Sequence, residues 1–317
     1  MIKLSYSIII PIYNASTYLV FSLESLLSQP FQDFELILVD DGSTDESASI
    51  CDAYAAKDDR IKVLHETHHG VAHSRQVGLE TARGEYILYV DADDTVELGM
   101  IVDMYQEAVT KKADLVICDY RELTHEGEVY RKQEPTSLDG VAVLEDILDG
   151  KLYGALWNKM MRREWLLRTK AAFPQQLTMR EDLVFLSQCL PYASKIAYIP
   201  KAYYGYERRN TSALTSHYVN ESPAYYTQEC LWVDLILQNQ FLKEATRQRL
   251  EQYLMQLAYI TLRRGLFDKH KWYETFLKHP EILSLGMGYK NKIVNFAIHG
   301  HFALARFIRT LISHLKL

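Results

Sequence analysis

The amino-acid sequence predicts an α/β fold, in which a mostly parallel β-sheet flanked by helices is followed by a helical region. Up to about residue 210, short apolar runs of strand type alternate with helical segments of roughly 10–15 residues, the pattern of βαβ units. From Pro223 onward the periodicity is helical, without further strand patterns. We therefore predict an α/β domain over 1–215 and a helical C-terminal region over 216–317.

Four strands and three helices are predicted in the first part of the α/β domain. The strands are Tyr6–Tyr13, Phe34–Val39, Ile61–Leu64 and Tyr86–Val90, and the helices are 17–28, 45–57 and 71–82. Pro11 has no N–H group, so strand pairing should stop there. Asn14 or Ser16 would cap the first helix, and Arg83-Gly84 would end the third with a C-cap glycine.

The remaining chain is predicted to add strands, helices and one hairpin. In order these are helix 98–111, strand 114–118, a hairpin near Glu126-Gly127, helix 139–148 capped by Asp139, a helix opening at Arg180, strands 195–199 and 203–209, and helices 225–238 and 245–264. The run Tyr203–Arg209 is rich in tyrosine and ends in two arginines. It suits either sugar stacking and phosphate contacts or a half-buried strand.

Carboxylates follow two of the predicted strands at the point where each strand ends. Asp40 and Asp41 follow the second strand, and Asp91, Asp93 and Asp94 follow the fourth. The carboxyl ends of parallel strands meet at one edge of a sheet, where ligands bind. Three carboxylates within four residues repel one another unless a cation or hydrogen-bond donors hold them, and a hard cation such as Mg²⁺ or Mn²⁺ would do so. The alternative is a solvated acidic turn.

The ligand expected at this edge is a nucleoside diphosphate bound to a metal ion. Neither a GxGxxG dinucleotide motif after the first strand nor a GK[ST] phosphate loop occurs, so phosphates would need a metal. Asp93 with Asp91 could supply its ligands, and Asp41 could accept from a base N–H. A cluster of histidines, His65, His68, His69 and His73, lacks the cysteines of a typical zinc site, which favours a solvated loop.

Composition limits the function classes further. The net charge of −6 gives no general case for nucleic-acid binding, and the four cysteines form no CxxC pair, as in reduced cytosolic proteins. The chain opens on a strand pattern without an export signal, and no uncharged apolar run approaches the ~18 residues of a membrane span. These features predict a cytoplasmic protein.

Four motifs together resemble a known enzyme family. The segments SIIIPIYN (7–14), VDDGSTD (39–45), YVDADD (89–94) and REDLVF (180–185) closely resemble the inverting family 2 glycosyltransferases of GT-A fold, of the bacterial capsule, exopolysaccharide and cell-wall glycan type. The resemblance spans residues 5–210. It implies an enzyme that uses Mn²⁺ or Mg²⁺ to move a sugar from a nucleotide-diphosphate donor, UDP-linked, onto a hydroxyl of a glycan, lipid-linked or protein-linked acceptor.

The resemblance also implies roles in donor binding. Pro11 and Tyr13 match residues that wall the nucleobase and ribose, Asp41 matches the acceptor for the uracil N3–H, and Arg75 matches a basic residue at base or phosphate oxygens. In the acidic segment, Asp91 matches a ribose or sugar contact and Asp93 matches the metal ligand, while Asp94 would share the metal or support it. The family often has Asn-x-Gly and Arg-Asn where this chain has His68-His69-Gly70 and Arg75-Gln76. Donor contacts of this loop are therefore less defined than those of the strand ends.

For catalysis and the acceptor, the resemblance implies four further residues. Asp182 matches the catalytic base, and Glu181 would contact donor-sugar hydroxyls or orient Asp182. By residue type alone, two acids in a first helical turn would only complement the helix dipole. Trp157 and Asn158 match an element beside the acceptor. Their alternative is a buried tryptophan with a satisfied asparagine.

Two other function classes share this type of fold. A sugar-nucleotidyltransferase should carry a glycine-rich phosphate loop after the first strand, where this chain has PIYNAS. A degenerate carbohydrate-binding or scaffold protein should have lost Asp93 or Asp182, and both are present. The sequence therefore favours the transferase over both.

The C-terminal tail is predicted to form a basic amphipathic helix. One face would carry Ile293, Phe296, Ala297, Gly300, Leu304, Phe307, Ile308, Leu311 and Leu315, and no acid occurs after Glu281. Such a face over 290–317 predicts peripheral contact with the inner membrane face. Its alternatives are packing on the catalytic domain or a homo-oligomer interface, and Gly300 would split the helix.

Overall fold

The structure, a computed structural model, describes residues 4–211, 222–279 and 289–306. The chain divides into two compact units, Met1–Ser216 and His217–Leu317. The boundary predicted between residues 215 and 216 lies outside the described residues, as do residues 307–317 of the predicted basic tail.

A mixed sheet forms the centre of the first unit. Its described strands are β1 (Tyr6–Ile12), β2 (Phe34–Asp40), β3 (Ile61–His65), β4 (Tyr86–Tyr89), β5 (Thr95–Val96), β6 (Leu115–Thr124), β7 (Gly127–Arg131), β8 (Lys159–Arg162) and β9 (Ile196–Glu207). They lie in the order β3-β2-β1-β4-β8-β6-β9-β5, with β7 paired to β6. The β3-β2-β1-β4 half is parallel, as predicted, and β8 pairs antiparallel with both β4 and β6.

Helices cover both faces of this sheet. They are α1 (Ser16–Leu27), α2 (Ser47–Ala55), α3 (Val71–Thr81), α4 (Met100–Lys111), α5 (Gly140–Leu148), α6 (Arg163–Thr169) and α7 (Glu181–Cys189). Alternate residues of β1 divide between the faces. Ile8 and Ile10 share a buried cluster with Leu23 of α1 and Met104 of α4, whereas Ile9 lies against α3. Strand β1 is therefore buried on both faces, which explains its unbroken apolar sequence.

Pro11 lies in the strand rather than ending it. It pairs in register with Val39 of β2, while pairing with β4 ends at Ile9 and Tyr89. The missing N–H of Pro11 therefore falls beyond the β4 ladder, where no partner needs it. Beyond that point β1 and β4 separate, and the residues that follow both strands are free to face a ligand.

Two predicted helix ends differ from the structure. Helix α1 has Ala15 as its N-cap. A free N–H group at the N-terminal end of the helix is satisfied by a residue distant in sequence, since Ser16 N donates to Asp45 Oδ2 at 3.0 Å. Helix α3 ends at Ala82 in an extended conformation, so Gly84 is not a C-cap. A Cβ at Gly84 would lie 2.3 Å from Ser7 N. The glycine is required by close approach to β1, not by a left-handed turn.

Other local predictions are confirmed. Asp139 caps α5 by accepting from Val141 N and Ala142 N, each at 3.0 Å. The hairpin β6–β7 turns at the predicted place, with Thr124 paired to Gly127. The strand predicted over 114–118 is longer than expected, because β6 continues into the hairpin after a register shift near Asp119.

The second unit is helical in its described residues. Its helices are α8 (Pro223–Leu237), α9 (Glu244–Arg264), α10 (Lys269–Phe276) and α11 (Tyr289–Phe296), followed by a π-helical segment, Ala297–His301. Gly300 has a φ of +95° and breaks the helix there, as predicted. Ile293 and Ala297 of the predicted apolar face are buried, whereas Leu304 is exposed. No helix in the described ranges is both long and apolar enough to cross a membrane.

Candidate functional site

The first unit brings the polar strand ends to one edge of its parallel half. Asp41 N donates to Ile12 O at 2.8 Å, and Val90 N donates to Ile9 O at 3.0 Å, so the chain beyond β1 is flanked by the chain beyond β2 and β4. This is the edge at which ligands of parallel sheets bind. Tyr13, Asp41 and the DADD segment 91–94 all follow these strands, as predicted.

Asp41 is buried, and its carboxylate holds the histidine-containing loop that precedes α3. Its Oδ1 accepts from His69 N and its Oδ2 from Gly70 N, both at 2.8 Å, and His68 Nδ1 lies 2.9 Å from Oδ2. The His68 ring stacks on Tyr13, with centroids 4.2 Å apart. A carboxylate accepts up to about four hydrogen bonds, so Asp41 keeps capacity for a base N–H. Its predicted role toward uracil stays a prediction.

His65 and His68 have different partners in the structure. His65 lies between two carboxylates, with Nδ1 3.0 Å from Asp40 Oδ2 and Nε2 3.0 Å from Asp52 Oδ1. The hydrogen bonds to Asp40 and Asp52 raise the pKa of His65. His68, in contrast, stacks on Tyr13 at the candidate donor site.

The DADD carboxylates lie in different environments. Asp94 is buried, and its two oxygens accept from Tyr204 Oη at 2.6 Å and Glu207 N at 2.7 Å. Asp93 is half-buried and accepts from Asn210 Nδ2 at 2.7 Å. Burial, followed by the charge of Asp91, raises the pKa of both Asp93 and Asp94. The acidic segment is therefore a built cluster rather than a solvated turn.

Arg75 links the DADD segment to the start of α7. Its Nη2 donates to Asp91 Oδ1 at 2.9 Å, while its Nη1 contacts both Glu181 Oε1 and Asp182 Oδ1. The Arg75 side chain is only 5% exposed. Burial alone would lower the pKa of Arg75, but the carboxylates, led by Asp182, raise it. One fixed positive charge thus faces three carboxylates, leaving the cluster short of positive charge.

Asp182 and Glu181 lie in the first turn of α7. Burial raises the pKa of Asp182 well above its usual value, against the opposing effect of Arg75, and it raises the pKa of Glu181 in the same way. A carboxylate with a raised pKa is a stronger proton acceptor, as a general base requires. The Asp182 side chain is nevertheless not fully enclosed, since 15% of it is exposed.

Trp157 and Asn158 are buried. Trp157 is 2% exposed and stacks on Tyr204, with centroids 4.4 Å and planes 10° apart. Asn158 Nδ2 donates to Cys118 O at 2.9 Å, and its Oδ1 accepts from Lys159 Nζ at 2.7 Å. This agrees with the alternative of a buried tryptophan with a satisfied asparagine. Direct contact of either side chain with a sugar stays a prediction.

Three residues that hold the site together escaped the sequence analysis. Tyr204 joins Trp157 to Asp94, Asn210 holds Asp93, and Lys159 bonds Asn158. Tyr204 lies in the tyrosine-rich run Tyr203–Arg209, so its residue type could have pointed to a role in the site. The residue type of Asn210 gave no such signal, because its partner Asp93 is distant in sequence. For Lys159, the acceptors near it in sequence are brought to its Nζ only by the loop conformation.

Comparisons with known proteins agree with this geometry. The family model "Glycosyl transferase family 2" matches residues 7–172. GlyG of Streptococcus pneumoniae is 49% identical over 115 residues, covering 36% of this chain and 38% of GlyG. EpsH of Bacillus subtilis, a putative glycosyltransferase, is 31% identical over 220 residues, covering 67% of this chain and 63% of EpsH. The chain thus spans less than two thirds of either relative.

The fold also matches solved structures. S. aureus TarS 1–349 in complex with UDP-GlcNAc superposes with a TM-score of 0.70 at 23% identity, covering 98% of this chain and 92% of that one. A likeness at this identity establishes the fold alone. It confirms the GT-A fold that was expected, with a mostly parallel curled sheet and helices toward the C-terminus.

Proposed function

The chain belongs to glycosyl transferase family 2, and on that premise we propose that it transfers a sugar from a nucleotide-diphosphate donor to a hydroxyl of an acceptor, with inversion at the anomeric carbon. One observation carries the proposal more than any other. Arg75 ties Asp91, from the donor-side acidic segment, to Asp182, the candidate base. The groups that an inverting transfer needs are therefore in one connected cluster.

The proposed donor is a UDP-sugar. Tyr13 is 47% exposed and stacks on His68, whose ring also contacts Asp41. An aromatic ring and a carboxylate acceptor are therefore near each other, as recognition of a uracil ring would require. Pro11 would form part of the wall of the nucleobase site. The structurally similar TarS was solved with UDP-GlcNAc, which supports the same nucleotide here.

Asp93 is the proposed ligand of Mn²⁺ or Mg²⁺. The carboxylate oxygens of Asp93 and Asp91 are the hard donors these ions prefer, and the raised pKa of Asp93 reflects burial among like charges. In the described ranges no three His, Cys, Asp or Glu side chains group into a metal site, so diphosphate and water would complete the coordination. When bound, the ion would neutralise negative charge on the diphosphate.

Asp182 is the proposed general base. It would take the proton from the acceptor hydroxyl as that oxygen attacks the anomeric carbon from the face opposite the leaving diphosphate. Arg75 fixes one Asp182 oxygen and leaves the other for the acceptor. Glu181, held by the same guanidinium nitrogen, would orient the pair or meet donor-sugar hydroxyls. Asp94 supports the acidic segment from behind through Tyr204 and Glu207.

The proposed acceptor is a glycan, lipid-linked or protein-linked molecule in surface polysaccharide or cell-wall glycan synthesis, and the proposed location is the cytoplasm, at the inner membrane face. A chain ending at residue 283 tests the location. It should keep nucleotide binding but sediment less with vesicles that contain anionic lipid. Equal sedimentation of both chains would assign the tail to packing or to a homo-oligomer interface.

Calorimetric titration of UDP, with and without Mn²⁺, tests the donor site. We expect Mn²⁺-dependent binding that Asp93→Asn weakens at least about tenfold, because the metal loses its charged ligand. Asp59→Asn, at an exposed turn that leads into the N-terminal end of β3, is the matched control. If UDP, GDP and dTDP all fail to bind, the degenerate scaffold alternative replaces the transferase. Binding of a nucleoside triphosphate in preference to UDP would favour the nucleotidyltransferase.

A further inference from the structure

Five aromatic rings form a continuous cluster between the acidic segment and the surface of the first unit. We call this the aromatic cluster; its members are Tyr120, Tyr153, Trp157, Tyr204 and Tyr206. Trp157 is central, stacked on Tyr204 at 4.4 Å and on Tyr206 at 5.3 Å between centroids. Tyr120, Trp157 and Tyr204 are buried, and only Tyr153 and Tyr206 reach the surface.

The inner end of the aromatic cluster touches the candidate donor site. Tyr204 Oη donates to Asp94 Oδ2 at 2.6 Å and accepts from Asp91 N at 3.1 Å. Tyr206 is two residues further along β9, and Trp157 stacks on both tyrosines. Trp157 and Tyr204 therefore connect Tyr153 and Tyr206 to the acidic segment.

The exposed ring of Tyr153 is carried on a fixed loop. Lys159 is fully buried, and its Nζ donates to Tyr153 O and Ala155 O at 2.8 Å and to Asn158 Oδ1 at 2.7 Å. Tyr153 N donates in turn to Gln133 Oε1 at 2.7 Å. Because its backbone is held on both sides, Tyr153 can receive a ligand without ordering a loop, which removes one cost of binding.

A cation with no ion-pair partner among the described residues lies beside Tyr153 and Tyr206, where its Nη1 donates to Tyr206 Oη at 3.5 Å. Arg208 is exposed, and its guanidinium carbon is 5.5 Å from the Tyr206 ring centroid. Within residues 4–211, 222–279 and 289–306 no carboxylate forms an ion pair with Arg208. Its neighbours differ, since Arg209 pairs with Glu207 and Arg131 with Glu122. The charge of Arg208 is thus available to an anion from solution.

We propose that Tyr153, Tyr206 and Arg208 form an acceptor subsite that holds a sugar unit bearing an anionic group, phosphate or carboxylate. Aromatic faces are electron-rich and attract the C–H groups of a sugar, and a guanidinium binds either anion with two parallel hydrogen bonds. Tyr120, Trp157 and Tyr204 pack in the core, whereas Tyr153 and Tyr206 present ring surface to which a ligand can bind. The proposal rests on the proposed transferase function and adds the chemical class of the acceptor.

Binding of three oligosaccharide probes to the full chain, followed by NMR titration, tests the subsite. The probes are neutral maltotriose, a phosphorylated maltotriose and trigalacturonic acid. We expect at least one anionic probe to bind about tenfold more tightly than maltotriose at low salt, and the gain to shrink as salt rises. The probe that shows the gain identifies the anion as phosphate or carboxylate.

Matched variants separate the charge from the rings. Arg208→Gln should remove the gain and leave maltotriose affinity unchanged, whereas Tyr153→Ala should weaken all three probes. Controls are Arg168→Gln, an exposed arginine on α6, and Phe21→Ala, an exposed ring on α1. Equal affinity for the three probes, absence of binding, or a gain that survives in Arg208→Gln overturns the proposal.

UDP titration of the same samples distinguishes this proposal from the proposed function. Tyr153, Tyr206 and Arg208 make none of the candidate donor contacts, so the variants should bind UDP as the unmodified chain does. Normal UDP binding together with failed probes rejects the acceptor subsite alone. Failure of every nucleotide rejects the transferase assignment itself.

Discussion

Arg75 Nη1 contacts Asp182 Oδ1, joining two residues 107 positions apart, and the Nη2 of the same guanidinium donates to Asp91 Oδ1 at 2.9 Å. Helix α3 therefore supplies the charge that keeps the strand-end carboxylates and the α7 carboxylates together. Without it, the three neighbouring carboxylates would repel one another. Arg75 therefore holds the candidate base in place, and its charge opposes the rise in the pKa of Asp182 that burial causes.

Asp182→Asn should abolish transfer while leaving donor binding intact. The amide cannot take a proton from the acceptor hydroxyl, and loss of a general base costs about 10²–10⁴ in rate. We expect kcat to fall in that range and UDP affinity to stay within about twofold. Steady-state kinetics with calorimetry measures both, with Asp59→Asn as control. Transfer at the unmodified rate would assign the base elsewhere.

Arg75→Met should destabilise the first unit in a pH-dependent way. Removing one partner of a buried ion pair costs about 3–5 kcal/mol. The pKa values of Asp182 and Glu181, already raised by burial, would rise further. Groups with a raised folded-state pKa favour the fold at low pH, and that stability is lost as pH rises through the folded pKa.

The destabilisation by Arg75→Met should therefore be smaller near pH 5 than near pH 8. Denaturant unfolding at both pH values measures it, and Arg168→Met, which removes an exposed arginine, serves as the control. Arg75→Lys keeps the charge but loses the planar fork, so it should recover stability only in part. A pH-independent loss in Arg75→Met would show that the carboxylates do not couple to this guanidinium.

His65→Gln should remove a small pH dependence of stability. The hydrogen bonds to Asp40 and Asp52 raise the pKa of His65, so protonated His65 stabilises the folded state below about pH 6.5. That stability is lost as pH rises through the higher folded-state pKa. The side chain is 46% exposed, so we expect less than about 1 kcal/mol. In thermal unfolding from pH 5.5 to 8.5, the Tm should decline as pH rises, and it should decline less steeply in His65→Gln.

Gly84→Ala should destabilise the parallel half of the sheet. The added Cβ would lie 2.3 Å from Ser7 N and 2.3 Å from Tyr6 C, and both are backbone atoms of β1. We expect a loss of about 3 kcal/mol, the upper end for overpacking. Gly154→Ala is the control, because its Cβ would meet side chains rather than backbone, Ile147 at 3.2 Å and Leu183 at 3.5 Å. Equal unfolding midpoints for the two variants would contradict the close approach.

Local features of this chain were predictable because they depend on neighbouring residues. The apolar run of β1, the Asp139 cap and the turn at Gly127 each follow from a window of a few residues. Wrong predictions occurred where a distant residue supplied the partner. Asp45 satisfies the start of α1, and β1 rather than a turn accounts for Gly84.

By itself, the sequence determined the family, the GT-A fold and the acidic residues that follow the strands, since period, motif and order are written along the chain. Only the tertiary structure decided that Arg75 joins Asp91 to Asp182, that Trp157 is buried, and that its neighbours Tyr153 and Tyr206 reach the surface. The physical reason is that such contacts depend on which strands are adjacent and how helices pack across them. Charge compensation and burial are properties of that packing, and no short segment encodes them.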